Sequence, residues 1–485
     1  MGPSNATGAH TRIGISLTAL VAAALLFGCG SDDPIPEKVA DTGRGFLVSG
    51  KDRLFIAEFS EFPDLTPAQR IRDWDARGSW VVRELRETAR SSQERAVSVA
   101  RRAGAVYRSE WIANVLVFAG EKALGPQVAE LPGVERVWEE PFPDFSISGL
   151  IGTARPAGIP SAVSRIGAPE AWRSGITGEG VVVGIVDTGV YARHPALLDS
   201  YRGYRGTRRP LEHDRNWFSP IRRSADAPVD TAGHGTHIAG SVSGSDRRPG
   251  GAEIGVAPGA KWITAQACTA TACPLSGVLP GLQFMLAPTD RYRGDPDPSL
   301  RPDIVVNSWQ RDGRDVALER AIEALEAAGV LPVFAVGNSG PRCGTARSPG
   351  TDPDQVLSVG AVGGDGRITR YSGRGPGPDD FPEPDVVAPG DGIVSSVPRS
   401  GYARTDGTSS SAALAAGVAA LAIDANPTLK GDPAGLVEVL RRGTRPPVGA
   451  ECGRTAGDAR NNAYGYGELD VPRVIRAAEL PGPRP

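Results

Sequence analysis

Beyond residue 160, mostly apolar runs recur at residues 181–186, 261–267, 304–306, 330–336 and 356–362, interrupted only by Lys261, Thr264, Gln266 and Ser358. Runs without polar alternation fit strands buried on both faces, which implies a parallel sheet between helical layers. Residues 315–328 carry apolar positions at helical spacing and stop at Gly329, a helix-ending residue. Residues 161–485 are therefore expected to form an α/β domain, a doubly wound, mostly parallel sheet flanked by helices. Its functional rim should lie at the carboxyl ends of the strands.

The preceding part has a different rhythm. Residues 53–59 read as a strand, and Thr66-Pro67 reads as a helix start. An Arg- and Glu-rich helix is expected over 79–102, a buried strand over 111–118, a short helix over 126–131 and a strand over 134–138. The implied order, β-α-β-β-α-β, is that of a small ferredoxin-like α+β unit spanning 45–141. Residues 142–160 are rich in Pro, Gly and Ser and read as an exposed, easily cut connector. At the amino end, Arg12 precedes a largely apolar stretch over 13–27, too short to span a membrane and suited to a signal-peptide core. It closes on Leu26-Phe27-Gly28-Cys29, which resembles the bacterial lipobox. That resemblance makes 1–28 a lipoprotein signal peptide, Cys29 the lipidation site and 29–44 a tether; the alternative is an ordinary signal peptide with an incidental cysteine.

Composition narrows the function classes. A net charge of −3 and a pI near 6.1 leave no basic footprint for nucleic acid or a polybasic membrane surface. With Cys29 set aside, Cys268, Cys273, Cys343 and Cys452 remain, an even number that suits disulfides outside the cytoplasm. Cys268 and Cys273 share one short loop, Cys343 and Cys452 would form a long-range pair, and sequence does not choose among the connectivities. A metal site is disfavoured, since no histidine pairs stand beside these cysteines at ligand spacing.

Short motifs carry the candidate chemistry. Asp187 follows the first apolar run in Val186-Asp187-Thr188-Gly189. His234 sits between glycines in Gly233-His234-Gly235-Thr236-His237, with His237 read as structural. Ser409 follows Asp406-Gly407-Thr408 at the entrance of a small-residue helix, where the helix field favours negative charge beside its hydroxyl. Each alone has a plain structural reading, as a turn carboxylate, a turn imidazole and a helix cap. The chain order Asp, His, Ser is that of subtilisin.

With these motifs the region resembles the subtilisin-like serine proteases, the subtilases, across nearly all of 161–480. Residues 281–290, 302–309 and 337–345 are similar to bacillopeptidase F-like members, and the N-terminal unit resembles their inhibitory prodomains. The resemblance implies a serine endopeptidase acting through an acyl-enzyme: Ser409 as nucleophile, His234 as base, Asp187 as its orienting partner and Asn338 as oxyanion donor. It further implies that Asn307, Ser308 and Trp309 pair with substrate backbone. Gln310 replaces the usual glycine beside the specificity pocket, and Ser410-Ser411-Ala412-Ala413-Leu414 replaces the usual residues after the nucleophile. Implied partners are polypeptide substrates, the chain's own prodomain as inhibitor and the membrane through its lipid; a monomer is expected. The implied location is the cell envelope, outer membrane or surface, with release after processing in the connector. No cofactor is required. Subtilases often bind calcium, but no loop has the dense Asp/Asn spacing of a site, so no metal ligand is assigned. The alternatives are an inactive subtilase used as a surface binding module, and an α/β-hydrolase esterase, which lacks its Gly-x-Ser-x-Gly elbow here.

Overall fold

The computed structural model describes residues 52–140, 150–156, 158–221, 227–290, 294–311, 315–347, 356–377, 382–449, 451–453 and 460–480, besides Gly2. The chain divides into Met1–Pro34 and Ile35–Pro485, and every element below belongs to the second unit. The expected signal peptide, Cys29 and the tether lie outside the described residues, as do residues 141–149 of the connector.

The N-terminal part runs β1 (Arg53–Phe59), α1 (Trp74–Arg102), β2 (Val106–Glu110), β3 (Val115–Gly120), α2 (Leu124–Ala129) and β4 (Val134–Glu139). Its strands pair antiparallel in the order β2-β3-β1-β4, the ferredoxin-like arrangement. Some boundaries differ from expectation. Thr66–Arg70 forms only a 3-10 turn, because the Asp64 carboxylate accepts both the backbone N–H and the hydroxyl of Thr66, a local bond that competes with a helix. The long helix starts instead at Trp74, where Asp73 caps it by accepting the Ala76 N–H. The expected strand over 111–118 contains a chain reversal. Asn114 adopts φ 51°, and its side chain binds Ser92, Gln93 and the Glu61 carbonyl, so β3 starts only at Val115. Apolar residues on both sides of that turn hide it from a hydropathy reading.

Part of the expected connector is also a strand. Residues Leu150–Ala154 form β5.

After the short helices α3 (Ser161–Arg165) and α4 (Ala168–Arg173), the larger part follows as β6 (Val182–Asp187), β7 (Trp217–Phe218), α5 (His234–Ser243), β8 (Lys261–Gln266) and α6 (Leu275–Leu286). It continues with β9 (Ile304–Asn307), α7 (Val316–Ala327), β10 (Leu331–Ala335), β11 (Leu357–Val362), β12 (Val386–Pro389), β13 (Ile393–Val397) and β14 (Gly401–Thr405). The chain closes with α8 (Thr408–Ala425), α9 (Pro433–Arg442), β15 (Thr444–Arg445), β16 (Glu468–Leu469) and α10 (Val471–Glu479). β5 covers the open edge of β14 in a small sheet ordered β13-β14-β5.

The main sheet has the order β15-β16-β12-β11-β10-β9-β6-β8-β7, parallel except at the β15–β16 edge. Successive strand residues point to opposite faces. Val183, Ile185, Ile304, Val306 and Val333 pack toward α5 and α8. Val186, Val305 and Phe334 pack toward α6 and α7, where Ile56, Val115 and Val117 of the N-terminal sheet complete the same apolar cluster. Both faces are buried, which is why the strands read as mostly apolar runs.

Among the described residues α8 alone is long and apolar enough to cross a membrane, and it is the buried central helix of this domain. Gly417 lets it approach Val256, whose Cβ lies 2.6 Å from where an added Cβ would stand. The cysteines pair as Cys268–Cys273 and Cys343–Cys452.

Candidate active site

Asp187 is the last residue of β6, at the carboxyl end of the sheet. Its own carbonyl accepts the N–H groups of Ala267 and Cys268, at 2.8 and 3.0 Å, which seats it against the end of β8. His234 opens α5, and Gly233 before it takes φ 88°, a conformation that suits glycine. Gly235 has a stricter requirement: a Cβ there would lie 2.1 Å from the Gly189 carbonyl oxygen. The glycines therefore let the histidine segment sit directly on the Asp187 loop. The outcome is a buried hydrogen bond of 2.8 Å from His234 Nδ1 to Asp187 Oδ1. With a carboxylate accepting at Nδ1, the proton resides there and Nε2 is left as the basic nitrogen. That atom is buried and makes no hydrogen bond to the described protein. Burial disfavours the imidazolium, but the charge and hydrogen bond of Asp187, with a smaller pull from Asp230, outweigh it and hold the His234 pKa above its ordinary value.

His237 has the opposite character. Its Nε2 is bound to the Ile393 carbonyl at 3.1 Å, and burial, then repulsion from His234, push its pKa down to about 3. It is a neutral core residue.

Ser409 lies in the first turn of α8 and is 4% exposed. The neighbouring hydroxyls are committed elsewhere. Ser410 pairs with Thr405 at 2.7 Å, and Ser411 donates to the Ala388 and Pro389 carbonyls. The hydrogen bond expected from Ser409 to His234 is not formed. The Ser409 hydroxyl donates instead to the Ser308 carbonyl at 3.0 Å, while the Ser308 hydroxyl donates to the Ser409 carbonyl at 2.9 Å. A backbone carbonyl is a strong acceptor, and here it holds the hydroxyl.

Asn338 follows β10, and its Oδ1 accepts both the N–H and the hydroxyl of Thr408 at 3.0 Å. That fixes which end of the amide is which: Oδ1 faces Thr408, and Nδ2 is the donor end. The Asn338 backbone N–H is in turn held by Gln310 Oε1 at 2.9 Å. Gln310 thus bridges to the Asn338 loop, a contact its sequence position does not reveal. Gln310→Ala removes one neutral hydrogen bond, worth about 1 kcal/mol. The expected result is a roughly fivefold loss of kcat on a peptide substrate. Steady-state kinetics beside a thermal melt check it, and an unchanged kcat rejects the coupling.

The remaining expected substrate contacts divide. Asn307 is fully buried in β9, between β10 and β6, and its amide donates back to the Val305 carbonyl. Trp309 is buried, donates to the Val186 carbonyl and meets Phe334 edge-on. Both side chains are buried, Asn307 in the interior strand β9 and Trp309 just beyond its end, so any contact they make with a substrate is through backbone. Ser308 and Gln310 are the pair that reach Ser409 and Asn338.

One residue escaped the sequence reading. Asp230 Oδ1 accepts the Thr188 hydroxyl and the Ala232 and Gly233 N–H groups, and Oδ2 accepts the N–H and hydroxyl of Thr236. The Thr188 hydroxyl in turn accepts the Gly235 N–H at 3.0 Å. This buried carboxylate therefore ties the Asp187 loop to the start of α5. Burial pushes its pKa up, and the charge of Asp187 adds to this, against the hydrogen bonds from Thr236 and Gly233. An Asp shortly before a helix start is a capping signal, and only that signal pointed to it. Among the described residues no group of three or more His, Cys, Asp or Glu is arranged to hold a metal ion.

Comparison with known proteins bears on the family of the chain. The subtilase family profile matches residues 178–467. Bacillopeptidase F of Bacillus subtilis (strain 168) is 33% identical over 387 residues, 76% of this chain and 26% of that protein. Serine protease AprX of the same organism is 29% identical over 350 residues, 66% of this chain and 72% of AprX. Subtilisin Savinase of Lederbergia lenta is 31% identical over 275 residues, 56% of this chain and 86% of that protein. The chain thus spans about a quarter of the length of Bacillopeptidase F.

Proposed function

This chain belongs to the subtilase family, and from that premise we propose that it is a serine endopeptidase made as a self-cutting precursor. Ser409 Oγ attacks the scissile carbonyl carbon as His234 Nε2 takes its proton. Asp187 keeps the imidazole in the productive tautomer and stabilises its charged form. Asn338 Nδ2 and the Ser409 N–H receive the developing oxyanion. The intermediate collapses to an acyl-enzyme as His234 protonates the leaving amine. Water then attacks the ester carbon, its proton passes to His234, and the acid leaves with Ser409 restored.

The observation that carries the reading is the buried His234–Asp187 hydrogen bond. It leaves a basic, unbonded nitrogen in the same domain as a serine at a helix entrance and an asparagine with a fixed amide. Two disulfides support an oxidising compartment, hence substrates that are extracellular or envelope polypeptides. The packing of the N-terminal sheet on α6 and α7 supports its reading as a prodomain, with processing between residues 141 and 160. Lipid attachment at Cys29, an envelope location and a monomeric enzyme complete the proposal.

A fluorophosphonate probe tests it. The expected label lies on the peptide containing Ser409, persists in Ser410→Ala and Ser411→Ala, and disappears in Ser409→Ala. A folded chain that takes no label at Ser409 points instead to a non-catalytic surface binding module.

A further inference from the structure

The contact between the N-terminal unit and the larger domain has a second part, remote from the reaction centre. α7 runs back from the rim and is followed directly by β10, so its C-terminus lies at the amino-end edge of the sheet. Asp187 and Asn307 end their strands at the opposite edge. At this far edge the first turns of α1 meet the larger domain. Arg77 donates to the Ala327 carbonyl at 2.6 Å, the Gly431 carbonyl at 2.7 Å and the Glu326 carbonyl at 3.1 Å. A guanidinium on the last carbonyls of a helix meets the negative end of its dipole. Arg301 reaches the other way, donating to the Trp74 carbonyl at 2.7 Å while also bound to Ala328 and Pro298. Its guanidinium lies 3.5 Å from the centre of the Trp74 ring, and the Trp74 N–H donates to the Ser299 carbonyl.

The helix is built to admit this. Gly78 stands inside α1, where glycine weakens a helix. An added Cβ there would lie 2.3 Å from Arg301 Nη1. Arg301 is 3% exposed, and burial, then repulsion from Arg77, lowers its pKa to about 9, which leaves it charged at neutral pH. The Arg77 bonds and the Arg301 bond to Trp74 thus exist only while α1 is docked, and none of them involves the residues proposed for catalysis.

We propose that the C-terminus of α7, with Arg301 and Gly431, is a retention site that holds the N-terminal unit of this same chain after the connector has been cut. The proposal rests on the self-processing reading above. Its partner is α1, recognised by an arginine that caps a helix end and an indole that stacks under a guanidinium. The cut enzyme is then a two-fragment complex whose N-terminal unit stays bound, independent of what occupies the cleft.

The test uses the full chain, allowed to process, with the two fragments followed by size-exclusion chromatography and by release after dilution. Wild-type fragments are expected to co-elute. The double variant Trp74→Ala/Arg77→Ala is expected to release the N-terminal fragment on the order of 10²-fold faster. The freed catalytic fragment should keep its kcat. Gly78→Ala is read alongside: it improves helix propensity but crowds Arg301, so it should also speed release. Release within twofold of wild type in either variant, from a normally cut chain, overturns the retention site alone. A wild-type chain that never cuts removes the processing reading and the retention site together.

Discussion

Ser409→Ala is expected to lower kcat roughly a millionfold and Asp187→Asn roughly ten-thousandfold, magnitudes that hold for enzymes with this constellation. The first removes the atom that forms the acyl bond. The second keeps the shape but replaces the carboxylate that accepts from His234 Nδ1 at 2.8 Å. An amide has no charge to balance an imidazolium, and its NH2 end can face Nδ1 and favour the wrong tautomer. The pH profile separates this role from a structural one. A general base must be neutral, and Asp187 holds the His234 pKa above its ordinary value despite burial. The acid limb of kcat/KM in the wild type should therefore lie above about 6.5, the ordinary imidazole value. In Asp187→Asn the limb should move to lower pH as the plateau falls. Stability runs in the opposite sense. A raised folded pKa contributes stability that is complete below the unfolded pKa and is lost as pH rises through the folded one. A wild-type limb at or below the ordinary imidazole value would falsify the assigned pair.

The second large effect concerns Asp230. In Asp230→Asn one oxygen becomes an NH2 group facing donors that have no other use for it. Either Thr236 or the Thr188, Ala232 and Gly233 set loses its acceptor. Leaving two or three donors unpaired, most of them buried, costs about 2–9 kcal/mol. Asp230 does not itself bond to His234 or Ser409, so it acts as a positioning residue. Its loss should let α5 shift against the Asp187 loop and lower kcat on the order of 10²-fold, since small displacements of a reacting group are expensive. KM should change little, and the pH profile should keep a His234 limb near the wild-type position. Urea unfolding beside steady-state kinetics reads both effects. A destabilised variant with undiminished kcat would reduce Asp230 to a structural cap.

Local chemistry was legible wherever it acts over a few residues. The mostly apolar runs at 181–186 and 356–362 are parallel strands because burial on both faces leaves no polar alternation to write. The stop at Gly329 is legible for a similar reason, since its φ of 86° suits glycine. The turn at Asn114 was not legible, because apolar residues flank it on both sides and its stability comes from Ser92, Gln93 and Glu61 on other segments. The side chains of Asn307 and Trp309 are buried in the core, a placement that the strand motif by itself does not reveal.

The sequence by itself determined the alternation of strands and helices, the glycines that admit close approach, and the residue types available for chemistry. Those are set by backbone conformation and by burial period, which neighbouring residues encode. Only the tertiary structure decided that the Ser409 hydroxyl rests on the Ser308 carbonyl, how the cysteines pair, and that Asp230 and Gln310 brace the site. Each of those choices is made by groups far apart in the chain. Their energies depend on distances that exist only after the sheet has closed around them.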